Sequence, residues 1–143
     1  MAAMLASPAS QMEPRVSLVT LGVSNLERSV RFYEKVFRFP RLPSAKSIAM
    51  FELGRVWLAL YPRESLAADV GVAAESSGFV GFTLAHNVHS AKEVDRVMAE
   101  LAAAGTRIKK RPKEAEGGGY SGYIEDPDGF VWEIAFNPHF PHT

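Results

Sequence analysis

The segment GRVWLALYP at residues 54–62 has a close counterpart in GFVWEIAFNP at residues 129–138. Each begins with a glycine that is followed, three residues later, by one of the chain's two tryptophans, Trp57 and Trp132. An aromatic residue stands four positions after each tryptophan, and a proline ends each segment. Because self-similarity between two halves of a chain indicates a repeated unit, these segments predict two copies of one supersecondary module.

The first copy begins with a β-branched, apolar segment at residues 15–23, which predicts a strand. Ser24 and Glu27 then form a capping-box pattern, and apolar residues recur at helical spacing as far as Phe37. Two more strands are predicted at residues 47–53 and 55–61.

The second copy repeats this order. Residues 79–85 predict a strand, Ser90 and Glu93 form another capping box, and Gly105 stands where a helix should end. Further strands are predicted at residues 106–110, 120–125 and 130–136. We therefore divide the chain into an N-terminal extension (1–14), a first βαβββ module (15–61), a linker (62–78), a second βαβββ module (79–138) and a C-terminal tail (139–143).

Composition excludes several classes of function. The 143 residues carry no net formal charge, which gives no electrostatic basis for binding nucleic acid or an acidic membrane. The absence of cysteine rules out disulfides, thiolate nucleophiles and cysteine-based zinc sites. No apolar run is long enough to span a membrane, and the N-terminus lacks the features of a signal peptide. We expect a soluble, cytoplasmic domain.

Three segments carry a family resemblance: VTLGVSNLERSVRFYEKVF (19–37), GFTLAHNV (81–88) and GGYSGYIEDPDGFVWEIAFNP (118–138). Together they resemble the vicinal oxygen chelate superfamily, which includes glyoxalase I, bleomycin-resistance proteins and extradiol dioxygenases. The resemblance implies an α+β fold of two βαβββ modules, with helices outside a curved mixed sheet that forms a cup for a small ligand. It also implies a homodimer, with cup walls from one or both subunits.

In metal-dependent members of that superfamily, strand side chains hold a divalent ion. The resemblance places the four ligand positions at Leu18, Leu58, Gly81 and Glu133, and only Glu133 carries a donor atom. Because a divalent ion needs three or more protein ligands, we predict no metal and no other cofactor. The histidines, which lie in a connection and in the tail, lack the spacing of a metal pair. A divalent metal held through Glu133 remains the alternative.

Glu133 is the candidate catalytic residue. It alternates with Val131, Ala135 and Asn137 on one face of its strand, and the resemblance places that face inside the cup. A partly buried carboxylate there could act as a general base or bind a polar group of the ligand. The predicted ligand-binding residues are Leu18, Thr20, Leu58, Leu60, Gly81, Thr83, Tyr120, Tyr123, Val131, Glu133 and Asn137.

Other noticeable residues have structural interpretations. Trp57 and Trp132 are expected to pack in the core between sheet and helix. Asp126 and Asp128 belong to a D-P-D-G sequence, which is typical of a turn. The basic residues between 107 and 113 are expected to form a solvated strand edge.

Three functions remain open. The first is a metal-free protein, similar to bleomycin-resistance proteins, that binds a small organic ligand with an apolar body and one or two polar groups. The second is an enzyme with glyoxalase-like lyase, isomerase or dioxygenase-related chemistry, in which Glu133 is the base or a metal ligand. The third is a structural dimer whose cup binds nothing.

Overall fold

Two four-stranded sheets are formed by the two halves of the chain in the computed structural model, whose described residues are 14, 16–70, 73–75, 78, 80 and 82–139. The first module comprises β1 (Leu18–Val23), α1 (Leu26–Arg31) with a π-helical extension (Phe32–Val36), β2 (Arg41–Leu42), β3 (Ala49–Leu53) and β4 (Val56–Pro62). Helix α2 (Arg63–Val70) follows. The second module comprises β5 (Leu84–Asn87), α3 (Ala91–Ala103), β6 (Arg107–Glu114), a 3₁₀ turn (Glu116–Gly118), β7 (Tyr120–Glu125) and β8 (Val131–Phe136).

The strand order is the same in both sheets, β1-β4-β3-β2 in the first and β5-β8-β7-β6 in the second. The outer strand β1 runs parallel to β4, as β5 does to β8, and the remaining pairs are antiparallel. Each module therefore has the βαβββ order, and the predicted α+β fold is confirmed. Among the described residues, no helix is long and apolar enough to cross a membrane.

The register of the first sheet separates an exposed face from a buried one. Leu18 lies opposite Trp57, and Leu21 lies opposite Leu60. Because successive side chains of a strand alternate between faces, Leu21 and Leu60 share one face, on which they are 1% and 0% exposed. Leu18 and Trp57 share the other face and are 41% and 39% exposed. We call these two sides of each sheet the core face and the open face.

The second sheet has the same division. Glu133 of β8 lies opposite Ala85 of β5 and Tyr123 of β7. Its neighbours Trp132 and Ile134 alternate with it and are 5% and 2% exposed, so they belong to the core face. Glu133, Tyr123 and Ala85 consequently lie on the open face.

A hydrophobic core of described residues joins the core faces of both sheets, and Tyr33 is fully buried in it. The Tyr33 ring packs against Phe51 of the first sheet and Trp132 of the second, with centroid distances of 6.1 and 6.0 Å. Its hydroxyl donates to Asp126 at 2.8 Å and accepts from the Trp132 indole N–H at 3.1 Å. The buried phenol therefore has its polar atom satisfied while it connects the two modules.

Asp128 connects the modules at a second point, near the start of α1. Its carboxylate accepts from the backbone N–H and the hydroxyl of Ser24, at 2.9 and 2.6 Å, and from the hydroxyl of Ser29 at 3.1 Å. Ser24 is thereby engaged, and Asn25 caps α1 instead by accepting from the Arg28 N–H at 2.9 Å. The prediction that Ser24 caps this helix is wrong, because a contact distant in sequence takes its hydroxyl.

The signals around α3 are confirmed. Ser90 accepts a hydrogen bond from the Glu93 N–H at 3.1 Å, as expected of a helix cap. Gly105 follows the helix with φ of +92°, a left-handed conformation that glycine adopts without steric cost.

Gly122 of β7 lies where the chain has no space for a side chain. A Cβ atom there would be 2.8 Å from Cε of Met98 and 3.0 Å from the Lys110 carbonyl oxygen and from Pro112 N. We expect Gly122→Ala to lower the free energy of unfolding by about 2 kcal/mol, because two of these three neighbours are backbone atoms that cannot move aside easily. Chemical denaturation measures the change. Gly54→Ala is the comparison, because its Cβ would contact nothing within 4 Å and its loss comes only from a φ of +73° that suits glycine. A Gly122→Ala variant as stable as the wild type would contradict the expected clash.

Candidate functional site

The open face of the second sheet presents a carboxylate beside a phenol. The register places Glu133 of β8 directly opposite Tyr123 of β7, and both side chains are partly exposed. Val131, also on β8, follows the same alternation and is partly exposed. Glu133, Tyr123 and Val131, three of the predicted ligand-binding residues, therefore share one surface.

Electrostatics keep the phenol of this pair protonated. Partial burial raises the pKa of Tyr123, and the charge of Glu133 and a hydrogen bond to its carboxylate raise that pKa further. At neutral pH, Tyr123 is thus a hydrogen-bond donor, and Glu133 is an acceptor close to it. Such a pair can bind a ligand carbonyl or hydroxyl through the phenol and accept a proton at the carboxylate.

The open face of the first sheet is mostly apolar. Leu18 and Thr20 of β1 lie on this face, opposite Trp57 and Ala59 of β4. Leu18 and Trp57 also line a shallow depression. The other residues around that depression are Ser17, Met50 and Arg55. A ligand on this surface would find an indole ring and aliphatic side chains.

The prediction that Leu58 and Leu60 line the cup is wrong. They are 2% and 0% exposed, and they lie on the core face of β4, packed in the hydrophobic core. The expectation that Trp57 packs in the core is wrong for the same reason, because Trp57 alternates with these leucines and lies on the open face. Trp132, by contrast, is a core residue as expected.

Tyr120 is placed differently from the prediction, and Asn137 lies beyond the end of its strand. Tyr120 lies opposite Phe136, on the core face of the second sheet, and its hydroxyl donates to Asp95 of α3 at 2.7 Å. Asn137 lies just beyond β8, and its side-chain oxygen accepts from the His139 backbone N–H at 2.9 Å. Tyr120 therefore does not share the open face with Glu133 and Tyr123.

Thr83 and Gly81 precede β5. Thr83 is exposed and lies one residue before the strand. The position predicted for Gly81 lies outside the described residues.

The side chains around Glu133 do not fit a divalent metal ion. Within the part of the chain that the structure describes, no three His, Cys, Asp or Glu side chains come together as a metal-binding group. On β7, the Tyr123 hydroxyl contacts Glu133, and Ser121 lies opposite Ala135, the next residue of β8 on the open face. Neutral hydroxyls and one carboxylate form a weak donor set for zinc, nickel or manganese.

Asp126 and Asp128 contribute more than the turn that the sequence predicted. Asp126 does accept from the backbone N–H groups of Asp128 and Phe130, at 2.9 and 2.8 Å. Their further contacts, of Asp126 with Tyr33 and of Asp128 with Ser24, have no local sequence signal, because those partners lie about a hundred residues away.

Known proteins with similar sequences belong to one superfamily. Residues 15–134 match the family model of the Glyoxalase/Bleomycin resistance protein/Dioxygenase superfamily. The metallothiol transferase FosB of Shouchella clausii is 30% identical over 122 residues, which cover 83% of this chain and 77% of that protein. The lactoylglutathione lyase GLX1 of Arabidopsis thaliana is 27% identical, and the match spans 81% of this chain but 42% of that longer protein.

Solved structures agree with this assignment. The crystal structure of a glyoxalase-related enzyme from Fulvimarina pelagi superposes with a TM-score of 0.82 at 37% identity, covering 92% of this chain and 94% of that one. A glyoxalase/bleomycin resistance protein/dioxygenase from Nocardioides gives a TM-score of 0.76 at 25% identity, covering 94% and 91%. The chain belongs to the Glyoxalase/Bleomycin resistance protein/Dioxygenase superfamily.

Proposed function

We propose that this protein binds a small organic ligand on its open faces, and that it does so without a resident divalent metal. The observation that carries the proposal is the pairing of Glu133 with Tyr123 on an accessible sheet surface. A carboxylate acceptor and a phenol donor would orient one or two polar groups of the ligand. Among the described residues, Glu133 belongs to no group of three His, Cys, Asp or Glu side chains that could hold a metal, which supports the metal-free form.

A second copy of the chain completes the site in this proposal. Leu18 and Trp57 are exposed apolar side chains on the open face of the first sheet, whereas the polar pair lies on the second sheet. Because both sheets turn their core faces into one shared core, the two open faces look away from it. A homodimer that sets the first sheet of one copy over the second sheet of its partner would enclose a ligand between apolar and polar walls.

An enzyme of the lyase or isomerase type is the second candidate. Here Glu133 acts as the base that removes a proton next to a carbonyl, while the Tyr123 hydroxyl donates to the oxygen that gains negative charge. The contact between these two side chains supports this reading. The name of the Arabidopsis relative, a lactoylglutathione lyase, is consistent with it. The name of the FosB relatives indicates thiol transfer with a metal, and the described residues around Glu133 give that chemistry little support.

A ligand screen tests the binding proposal. We expect at least one compound of a broad metabolite library to raise the melting temperature of the wild-type protein, because a ligand bound only by the folded state stabilises it. The shift should be strongly reduced in Glu133→Gln and retained in Glu27→Gln, which changes an exposed carboxylate in the first turn of α1. A compound that shifts the melting temperature of both variants equally would mean that the ligand does not bind at Glu133. The absence of any stabilising compound would favour the structural dimer.

The metal content of the purified protein distinguishes the binding protein and the metal-free lyase or isomerase from a metalloenzyme. We expect purified protein to hold less than about one-tenth of an equivalent of nickel, zinc, cobalt, iron or manganese, because one carboxylate binds such ions too weakly to survive purification. Elemental analysis measures this content. Near one equivalent of metal, lost in Glu133→Gln, would contradict the proposal and favour a metal-dependent lyase.

A further inference from the structure

A cleft of about 250 Å³ lies between the two modules, on the helix side of the molecule. One wall is the end of the π-helical extension and the residues after it, including Phe37 and Arg38. The other wall is helix α3, which contributes Arg96 and Leu101, and Ile134 of β8 closes the cleft. Ile134 alternates with Glu133 along β8, so the cleft and the open face lie on opposite sides of the same strand.

The positive charges that line the cleft outnumber the negative ones. Arg96 is compensated, because it forms ion pairs with Glu100 at 2.8 Å and with Glu93 at 3.0 Å. Lys35 and Arg38 also line the cleft, and within the described part of the chain neither has an ion-pair partner. The cleft therefore carries uncompensated positive charge, which favours an anion.

The backbone of Arg38 adds an independent observation. Arg38 has φ of +62° and is the one residue other than glycine with positive φ among the described residues. It follows the helical segment, and the next N–H, that of Phe39, donates to the Tyr33 carbonyl at 2.9 Å. Helices commonly end in this way, but with glycine at the left-handed position. An arginine there costs stability, and residues held in such conformations cluster at ligand-binding sites.

Apolar side chains form the rest of the lining. Phe37 and Leu101 contribute from opposite walls, together with Val97 and Ile134. Phe37 also packs against Trp132, with ring centroids 5.2 Å apart, so the wall is anchored in the core. The cleft volume is near the lower end of the range for small-molecule sites, about 300–1,000 Å³. Its occupant is therefore small, with an apolar body and one negative charge.

We propose that this cleft is a second binding site, specific for a small monocarboxylate with an aromatic or branched aliphatic body. The carboxylate lies between Lys35 and Arg38, and the apolar body lies against Phe37 and Leu101. The site does not depend on the ligand proposed for the open faces, because no residue is shared between them.

Phenylacetate is a suitable probe, with phenylacetamide as its uncharged match. We expect calorimetry to detect phenylacetate binding to the full chain and at least about tenfold weaker binding of phenylacetamide, because the charge-assisted hydrogen bonds are lost. Arg38→Asn should weaken phenylacetate binding by a similar factor, since asparagine tolerates the left-handed conformation but carries no charge. Arg41→Asn is the control, because Arg41 is exposed on β2 and does not line the cleft.

Arg38→Gly tests whether a loss of binding is caused by misfolding rather than by loss of the arginine charge. Glycine suits the left-handed position, so we expect this substitution to raise the melting temperature by about 2–4 °C while binding is lost. The proposal is overturned if the wild-type protein does not bind phenylacetate at millimolar concentration, if phenylacetamide binds equally well, or if Arg38→Asn binds like the wild type. Phenylacetate binding that is lost in Glu133→Gln but kept in Arg38→Asn would assign the probe to the open face and likewise overturn it.

Discussion

Tyr33→Ala is expected to lower the free energy of unfolding by about 4 kcal/mol, the range found for truncating a buried aromatic residue. Tyr33 is 0% exposed, and its ring contacts Phe51 of one sheet and Trp132 of the other. The substitution opens a cavity where the two modules meet and leaves the buried carboxylate of Asp126 without its phenol donor. Urea denaturation followed by circular dichroism measures the loss.

The matched control is Trp57→Ala. It removes a larger aromatic side chain, but one that is 39% exposed on the open face. We expect a loss of about 1 kcal/mol, typical of a substitution outside the core. Similar losses for the two variants would mean that Tyr33 is not the point at which the modules are held together.

Much of the fold could be predicted from the sequence because its local signals agree with its long-range contacts. The repeat around the two tryptophans predicts two modules, and both sheets have the same strand order. The capping residue Ser90 and the terminal Gly105 delimit α3 correctly, since both act through neighbouring backbone groups. Helix caps of this kind can be predicted without the tertiary structure, because they depend only on residues close in sequence.

The face of β4 could not be predicted from its sequence. VWLAL is apolar at every position, so period-two alternation gives no indication of which side chains are buried. The match between Trp57 and Trp132 predicts that Leu58 and Glu133 occupy equivalent faces. This prediction is wrong, because the strand partners determine the face: Trp57 lies opposite Leu18 on the open face, whereas Trp132 lies opposite Leu84 on the core face.

For β8, the sequence does indicate which face of the strand is buried. A glutamate between Trp132 and Ile134 breaks the apolar run, and this break identifies the buried and exposed faces. The structure has that alternation, with Trp132 and Ile134 in the core and Glu133 partly exposed beside Tyr123. One polar residue in a strand is thus more informative about register than a second aromatic residue.

Helix α2 lies within residues 62–78, which the sequence predicts to be a linker. The sequence RESLAADV has little amphipathic pattern, so periodicity does not indicate a helix there. The helix nevertheless packs against the first sheet: a Cβ on Gly22 of β1 would lie 3.2 Å from Leu66 and 3.3 Å from the Arg63 backbone. Because Gly22 alternates onto the open face with Thr20, α2 limits the surface that a ligand can reach there.

Asp126→Ala is expected to lower the free energy of unfolding by about 3 kcal/mol, because it leaves several buried donors without a partner. Asp126 is 4% exposed. Its carboxylate accepts from the Tyr33 hydroxyl and from the backbone N–H groups of Asp128 and Phe130. Asp126→Asn should be milder at neutral pH, with a loss of about 1 kcal/mol, since the amide oxygen can still accept from both backbone groups.

The stability of the wild type and that of Asp126→Asn should also differ in their dependence on pH. Burial raises the pKa of Asp126 above its ordinary value of 3.8, although the hydrogen bonds from Tyr33, Phe130 and Asp128 act in the opposite direction. The folded protein therefore binds this proton more tightly than the unfolded chain does, so protonation of Asp126 favours folding. As the pH falls from neutral towards the ordinary pKa, the wild type should gain stability relative to Asp126→Asn, whose side chain does not titrate. Denaturation of both proteins at about pH 7, 5.5 and 4.5 measures the difference. If the wild type instead loses stability relative to the variant on acidification, the hydrogen bonds outweigh burial, and the Tyr33–Asp126 contact is a charge-stabilised pair that depends on ionised Asp126.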